Sequence, residues 1–473
     1  MINLNDNSST YQLDTSREYA IYICQSRSIP LVSDGLKPVQ RMALWLLRNK
    51  AEKIKTVALG GALALEKLYV HGDASANKAI GFLAAPFKNN VSLIEPHGFF
   101  GCRLYPNDIG APRYTEVQRA KSATELLYMD LDIVPLEENY DGSSKQPKHF
   151  LPLVPLVLLN GISGIAYGWS TEILPRKLKD LIDATKSVLL NKPINTLEPC
   201  YEKYDLTVSN IGDNKWEFCG KLNIKGNTVQ ITELPPGLSI EAFRKRLILM
   251  ENNEQIRNFV DKSSDKIDII INMPRIKNDL SAVLEETKIK QKNPIATEKD
   301  AIDFFKLRER VTERIVVVDW DGKRIKQYNS PEKVIEDFVQ WRLGWYTKRY
   351  EYRRIRDAYE IQYWQVLKIL FDNGFTQKLG IFSNKKELQQ EVINMINGTI
   401  TLDSEQLEKI VNLPTYKWTK DFYNDIVEKI TELKILLDDY DDILSSKERI
   451  RDIYLKELNN LKNLVNDLEK MKE

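Results

Sequence analysis

From Val334 onward, apolar and aromatic residues recur at alternating steps of four and three: Val334, Phe338, Trp341, Trp345, Lys348, Tyr352, Ile355, Tyr359, Gln362, Val366 and Ile369. Only Lys348 and Gln362 interrupt the series. This spacing keeps one stripe on one side of an α-helix, and over so many turns it predicts a coiled-coil seam. A return run, Ile426, Ile430, Leu433, Leu437, Tyr440 and Leu444, resumes after a break at Tyr454, Leu458, Leu461, Val465 and Leu468. The pattern predicts two long antiparallel helices around a helical insert at about 371–420. Asp438, Asp439, Asp441 and Asp442 fall at the break and read as a solvated turn.

Ahead of this rod, a chain of 473 residues has room for a sizeable core and two to four domains in all. Residues 1–29 read as a polar arm and an amphipathic helix around Ser16–Ser26. From about 30 to 145 the pattern is helical. Pro38 can open a helix, with Val39, Ala43, Leu46 and Leu47 on one face. Asp73 can start another and cap it. From 146 to about 325 the reading is mixed. Thr228–Leu234 and Ile315–Asp319 alternate like strands, and Asp321-Gly322 signals a hairpin.

Phe150–Trp169 is apolar enough to resemble a membrane span. Pro152, Pro155, Asn160 and three glycines interrupt it, so buried strands and turns are expected and no span. The N-terminus shows no charged-then-apolar signal pattern. Cys24, Cys102, Cys200 and Cys219 are scattered, which suits a reducing cytoplasm better than a disulfide framework.

The formal charge of +1 hides a gradient. Residues 1–121 carry about 15 Lys/Arg against 10 Asp/Glu, whereas residues 403–473 carry about 12 against 17. A basic front can hold a polyanion that an acidic rear avoids. Phosphate-binding G-x-x-x-x-G-K-[ST], G-x-S-x-G and H-E-x-x-H motifs are all absent. With His71, His97 and His149 as the only histidines, Ser-His-Asp chemistry and metal sites are not expected. Asp130 and Asp132 have metal-ligand spacing but sit in Leu126–Ile133, which reads as helical, where residues two apart diverge.

One segment stands apart: Gly110-Ala111-Pro112-Arg113-Tyr114-Thr115-Glu116. A tyrosine beside an arginine, after a turn of small residues, suits attack on a phosphodiester. A phenol titrates near 10, and a guanidinium both favours phenolate and offsets charge on the transition state. The phosphotyrosine so formed is itself a phosphodiester, so resealing needs no new energy. Arg27, Lys37, Arg41 and His71, the last beside a helix start, could seat further phosphates. Taken singly, each of these cations reads equally well as a solvated surface charge, and Ile165 as a core isoleucine.

Together these segments resemble the breakage-reunion subunit of type IIA DNA topoisomerases, the family of gyrase A and the central part of eukaryotic topoisomerase II. The landmarks are Asp34–Arg41, His71-Gly72-Asp73, Arg113-Tyr114-Thr115-Glu116, Tyr140-Asp141-Gly142, Asn160–Thr171, Thr232-Glu233-Leu234-Pro235 and the two long helices. Chain length and the lack of an ATPase segment resemble the medium subunit of T-even-like phage enzymes. Gly101-Cys102-Arg103 and Gly168-Trp169-Ser170-Thr171 look closer to the eukaryotic pattern. Tyr69, Ala74 and Lys78 depart from the bacterial one.

The resemblance implies a helix-rich α+β fold: a winged-helix DNA-cleavage domain (30–145), a mixed tower domain (146–325), and a long antiparallel coiled coil with a helical dimer gate (326–473). It implies that Tyr114 links to a DNA 5′ end, that Arg113 polarises the phosphate, and that Arg27, Lys37, Arg41 and His71 hold or polarise its neighbours. Ile165 would be the apolar wedge that bends the duplex. It implies ATP-dependent passage of one duplex through a staggered break in another, giving relaxation and decatenation without wrapping-driven supercoiling. The partners would be double-stranded DNA, a second copy of the chain, and an ATPase/TOPRIM subunit holding Mg2+ and ATP, with no metal site in this chain. The setting would be cytoplasmic, a bacterial host's if phage-encoded. The rival is a non-catalytic dimeric DNA-binding scaffold, which accounts for the basic front and the seam but not for Arg113-Tyr114. A tyrosine recombinase, with a late nucleophile and a 3′ link, fits less well.

Overall fold

The computed structural model describes residues 15–16, 18–70, 72–274, 297–378, 381–382, 384–396, 398 and 400–470. It divides into two compact units, residues up to 340 together with those from 457, and residues 341–456. The fold is α+β and rich in helix, as the sequence implied.

In the first unit, Pro38 opens the helix Pro38–Leu47, its fixed φ suiting a first turn. Gln40 Oε1 accepts the Lys37 amide at 2.9 Å and closes the helix start. The helix buries Arg41, Ala43, Leu44 and Leu47, while Val39 and Leu46 are only half-buried. It packs against Thr56–Leu65 and Asp73–Ala84. Asp73 begins its helix as expected, but the cap position belongs to Gly72, at φ 87°, and no side chain caps it. Beside these helices lies a small antiparallel sheet, Ile54–Lys55, Glu116–Arg119 and Ile94–His97, with Glu116–Arg119 in the middle.

The apolar stretch after His149 is core. Phe150, Leu151, Leu153, Val154 and Leu156–Leu159 are buried, the last four as one helical turn. Ile162–Ile165 then pairs with Ser170–Ile173 as a hairpin. Among the described residues no helix is long and apolar enough to cross a membrane.

The mixed part is built on a four-stranded antiparallel sheet in the order Lys221–Lys225, Thr228–Glu233, Ile269–Asn272, Asn258–Asp261. Phe243, Leu247 and Met250 of the helix Ile240–Asn252 join Val229, Ile231, Ile269 and Ile271 in one core, closed by Ala301 and Phe305. The hairpin signalled by Asp321-Gly322 joins Ile315–Val318 to Ile325–Tyr328. Arg176 and Glu313 form a buried fork, Nη1 to Oε1 at 2.6 Å and Nη2 to Oε2 at 2.7 Å.

A single helix runs from Pro331 to Asp372. Its seam between 342 and 357 departs from the expected series. Ile355 is 69% exposed and Tyr352 and Tyr359 are also exposed, whereas Arg342, Tyr346, Arg349 and Asp357 are buried. Charged groups tolerate such a position when they are paired. Tyr346 stacks on Tyr454 at 4.8 Å, and the Arg342 and Arg349 guanidiniums lie 4.5 and 4.2 Å from its ring centre. Asp357 accepts hydrogen bonds from Tyr440 Oη at 3.0 Å and Arg356 Nε at 2.7 Å. On the return helix, Lys420–Ser445, Ile426, Ile430, Leu433 and Tyr440 are buried as expected, but Ile443 replaces Leu444. The acidic run belongs to this helix and is not a turn; the break comes at Ser446. Asp441 pairs with Arg354 and Asp442 with Arg449 instead. The helices Lys385–Ile396 and Ser404–Val411 contribute Val392, Ile396 and Ile410 to a core with Val366, Leu370, Ile426 and Ile430.

Candidate active site

Tyr114 is presented by a backbone fixed on both sides. Its amide donates to Ala111 O at 2.9 Å, closing a turn at Pro112-Arg113, and Val57 N donates to Pro112 O at 3.2 Å. Thr56 N donates to Thr115 O at 3.0 Å, and the two threonine hydroxyls meet at 2.8 Å. Thr115 is buried while Tyr114 is 70% exposed. The next residue, Glu116, enters the central strand and pairs with Lys55 at 2.8 Å, which holds its carboxyl below the usual range. The Arg113 guanidinium lies 4.7 Å from the centre of the Tyr114 ring, within cation–π range. The result is a rigidly mounted phenol facing outward, with a cation over its ring.

Beside it runs a groove of about 630 Å3 between the helix Asp73–Ala84 and the turn that carries Tyr114. Ala74, Asn77, Lys78 and Phe82 line one wall, Ile109 and Gly110–Arg113 the other. His71, expected just before this helix, lies outside the described residues.

A second group gathers around the hairpin Ile162–Ile173. Lys37 Nζ donates to Ser163 O at 3.0 Å, and burial pushes its ammonium below its ordinary pKa. A side chain at Gly164 would collide with Ser28 O, so the segment after Arg27 lies flush against the strand. At the hairpin's end Ile165 is 86% exposed and Tyr167 75%. A lone isoleucine that exposed is ordinary, but Ile165, Tyr167 and Trp169 form a cluster at one tip. Arg27 is exposed, its guanidinium 5.9 Å from the Tyr22 ring centre.

Arg41 stands differently from the other predicted cations. It is buried, with Nε and Nη2 forked on Asp34 at 2.6 and 2.9 Å and Nη2 also donating to Leu36 O. Here it holds the loop before Lys37. The reason is Asp34, itself fully buried, which needs a cation to offset its burial. Asp130 precedes a single tight turn, Leu131–Ile133, and Asp132 lies in the middle of it. Among the described residues no group of three or more His, Cys, Asp or Glu is placed to hold a metal ion. The four cysteines are unpaired with one another.

Sequence reasoning missed how the loop carrying Tyr114 is held. Arg103 and Glu233 both lay in segments noted for their resemblance, yet nothing in spacing alone joins residues 130 apart. A signal existed: an arginine between Cys102 and Leu104, and a glutamate in phase with the apolar Val229 and Ile231 of its alternating strand, both where charge would be buried.

Over residues 27–459 the chain matches the family model of the A subunit of DNA gyrase/topoisomerase IV. DNA topoisomerase 2-alpha of Gallus gallus is 30% identical over 341 residues, 69% of this chain and 21% of that protein. Putative DNA topoisomerase 2, mitochondrial, of Caenorhabditis elegans is 30% identical over 342 residues, 68% of this chain and 28% of that protein. The chain thus spans between a fifth and three tenths of the length of these relatives. The solved DNA-binding, cleavage and re-ligation domain of Plasmodium falciparum topoisomerase II superposes with a TM-score of 0.81 at 23% identity, over 95% of this chain and 64% of that one. At that identity the likeness speaks for the fold.

Proposed function

Because the chain belongs to the family of the DNA gyrase/topoisomerase IV A subunit, we propose that it is the DNA-cleaving and religating part of a type II topoisomerase, with Tyr114 as nucleophile. The carrying observation is the exposed Tyr114 phenol on a backbone clamped at Ala111, Thr56 and Val57, with the Arg113 guanidinium over its ring.

Tyr114 Oη would attack a DNA phosphorus, forming an O–P bond as the bond to the 3′ oxygen breaks. The phenol proton leaves, the 3′ oxygen gains one, and the 5′ phosphate stays on the tyrosine. The reverse step restores the strand. Arg113 would neutralise charge on the phosphoryl oxygens. Lys37 and Arg27 would hold neighbouring phosphates, and His71 is retained in that role from the sequence. Ile165 would wedge between base pairs, where unstacking a step costs a few kcal/mol, offset by contacts that bent DNA allows. Arg41 takes a positioning part, keeping the loop before Lys37 in place through Asp34.

Two copies would cut opposite strands, and a second duplex would pass through the staggered break, giving relaxation and decatenation. Among the described residues no group of three or more His, Cys, Asp or Glu is placed to hold a metal ion. We assign Mg2+ and ATP to an ATPase/TOPRIM partner, as in a phage-type division of labour in a bacterial host's cytoplasm, and derive no step through them. We read residues 30–145 as the winged-helix cleavage part, 146–325 as the tower and 326–473 as coiled coil and dimer gate.

The test is SDS trapping of end-labelled duplex by the chain with its partner and Mg2+, beside Tyr114→Phe. A covalent adduct on 5′ ends, lost in the variant, is expected. Equal DNA binding by both proteins with no adduct from either would leave the scaffold reading in its place.

A further inference from the structure

The nucleophile sits in the loop 98–115, between the strands Ile94–His97 and Glu116–Arg119. The loop is drawn together at its neck, where Gly110 N donates to Phe99 O at 2.9 Å. Beyond the neck lies a tight turn, Cys102–Tyr105, closed at both ends: Cys102 N to Tyr105 O at 3.2 Å and Tyr105 N to Cys102 O at 3.1 Å. Gly101 reaches φ 97° to enter it, and a side chain there would press on Tyr105 O and Pro106 O.

This turn is not exposed, as a loop tip ordinarily is. Leu104 and Tyr105 pack against the core under the four-stranded sheet. Arg103 is buried, and its Nη2 donates to Glu233 Oε1 and, at 3.0 Å, to Leu234 O. Its guanidinium lies 4.4 Å from the Tyr204 ring centre. Glu233 ends the strand Thr228–Glu233 and is itself buried. Its carboxylate also accepts the amides of Asp205 at 3.0 Å and Leu234 at 2.8 Å. The nucleophile loop is therefore plugged into the sheet by a buried ion pair whose acceptor is locked by two backbone amides.

We propose that the Arg103–Glu233 plug positions Tyr114, so that the four-stranded sheet sets the register of the nucleophile. The inference rests on Tyr114 being the nucleophile. A buried pair with this many fixed partners has one geometry, and the neck at Phe99 and Gly110 transmits it toward Tyr114. Attack on phosphorus is steep in alignment: a displacement of about 1 Å can lower a rate on the order of 100-fold. Arg103 touches no reacting atom in this scheme; it acts through the loop.

The experiment uses the full chain, wild type, Arg103→Ala, Arg103→Lys and Glu233→Gln. Amide hydrogen exchange is followed over 107–115 in the chain alone. Duplex affinity and covalent-adduct rate are measured with the partner subunit present. For Arg103→Ala we expect exchange over 107–115 to rise at least fivefold, duplex affinity to stay within about twofold, and adduct rate to fall at least tenfold. Arg103→Lys should recover part of that rate. Glu233→Gln keeps the shape and an acceptor, so it tests the charge even if Arg103→Ala folds poorly. Unchanged exchange, or an adduct rate that falls only in step with duplex affinity, overturns the proposal. No adduct from the wild type would overturn the nucleophile reading instead, while exchange still decides whether the plug holds the loop.

Discussion

The carboxylate of Asp34 grips the guanidinium of Arg41 at 2.6 and 2.9 Å and also accepts the amides of Leu36 at 3.1 Å and Phe150 at 3.0 Å. Both residues are buried, so removing one partner strands the other's charge. Arg41→Ala should therefore lower stability by about 3–5 kcal/mol. It should leave the salt dependence of duplex binding as it was. Lys37→Ala should do the opposite, sparing stability but reducing the slope of log affinity against log salt by about one. Urea denaturation and a salt titration of both variants check this. A reduced slope for Arg41→Ala in folded protein would return that residue to the phosphate-binding set.

His149 is buried, its Nδ1 3.0 Å from Phe150 O, and desolvation pushes its pKa down to about 4. The unfolded chain, with the ordinary value near 6.5, binds the proton first as pH falls. Between 6.5 and about 4 the unfolded state thus holds more protons, and this residue's contribution to stability drains away on acidification. The full shift is worth roughly 3 kcal/mol, with part of it lost by pH 5. His149→Phe should flatten the stability–pH curve in that window relative to wild type. Parallel curves would show that the imidazole titrates alike in both states.

The sequence was most legible where local chemistry and packing agree. Pro38 and Asp73 start helices, Thr228–Glu233 alternates into its sheet, and Asp321-Gly322 turns its hairpin. Tyr114 and Ile165, both singled out in the sequence, are exposed. Legibility failed where burial is polar. Counting apolar residues could not see a seam of Arg342, Tyr346, Arg349 and Asp357, because hydrophobic spacing is silent about charges that are paired. The pairing of Arg41 was hidden for the same reason: beside a glycine turn it reads as a surface cation, and only the burial of Asp34 reveals its partner.

That seam makes its own prediction. Ile355 is 69% exposed, so Ile355→Gln should change stability by less than about 0.5 kcal/mol. Tyr346 is fully buried against Tyr454 and two guanidiniums. Tyr346→Ala should lower stability by about 3–5 kcal/mol through the cavity and the exposed pairings. Thermal and chemical denaturation of both variants decide between the two registers. A large loss for Ile355→Gln with little for Tyr346→Ala would restore the apolar series as the true seam.

The hairpin Ile162–Ile173 separates a folding role from a binding role within two adjacent residues. Gly164 lies against Ser28 O, leaving no room for a methyl, so Gly164→Ala should lower stability by about 1–3 kcal/mol as the strand is forced away. Ile165, 86% exposed, contributes little to the core, and Ile165→Ala should keep stability within about 0.5 kcal/mol. If Ile165 is the wedge, the same variant should bind duplex but bend it less, with a reduced covalent-adduct rate. End-to-end energy transfer on a doubly labelled duplex reads the bend, and SDS trapping reads the adduct. Unchanged bending and trapping in Ile165→Ala would remove the wedge role. The neighbouring Tyr167, 75% exposed on the same tip, would then be the next residue to replace.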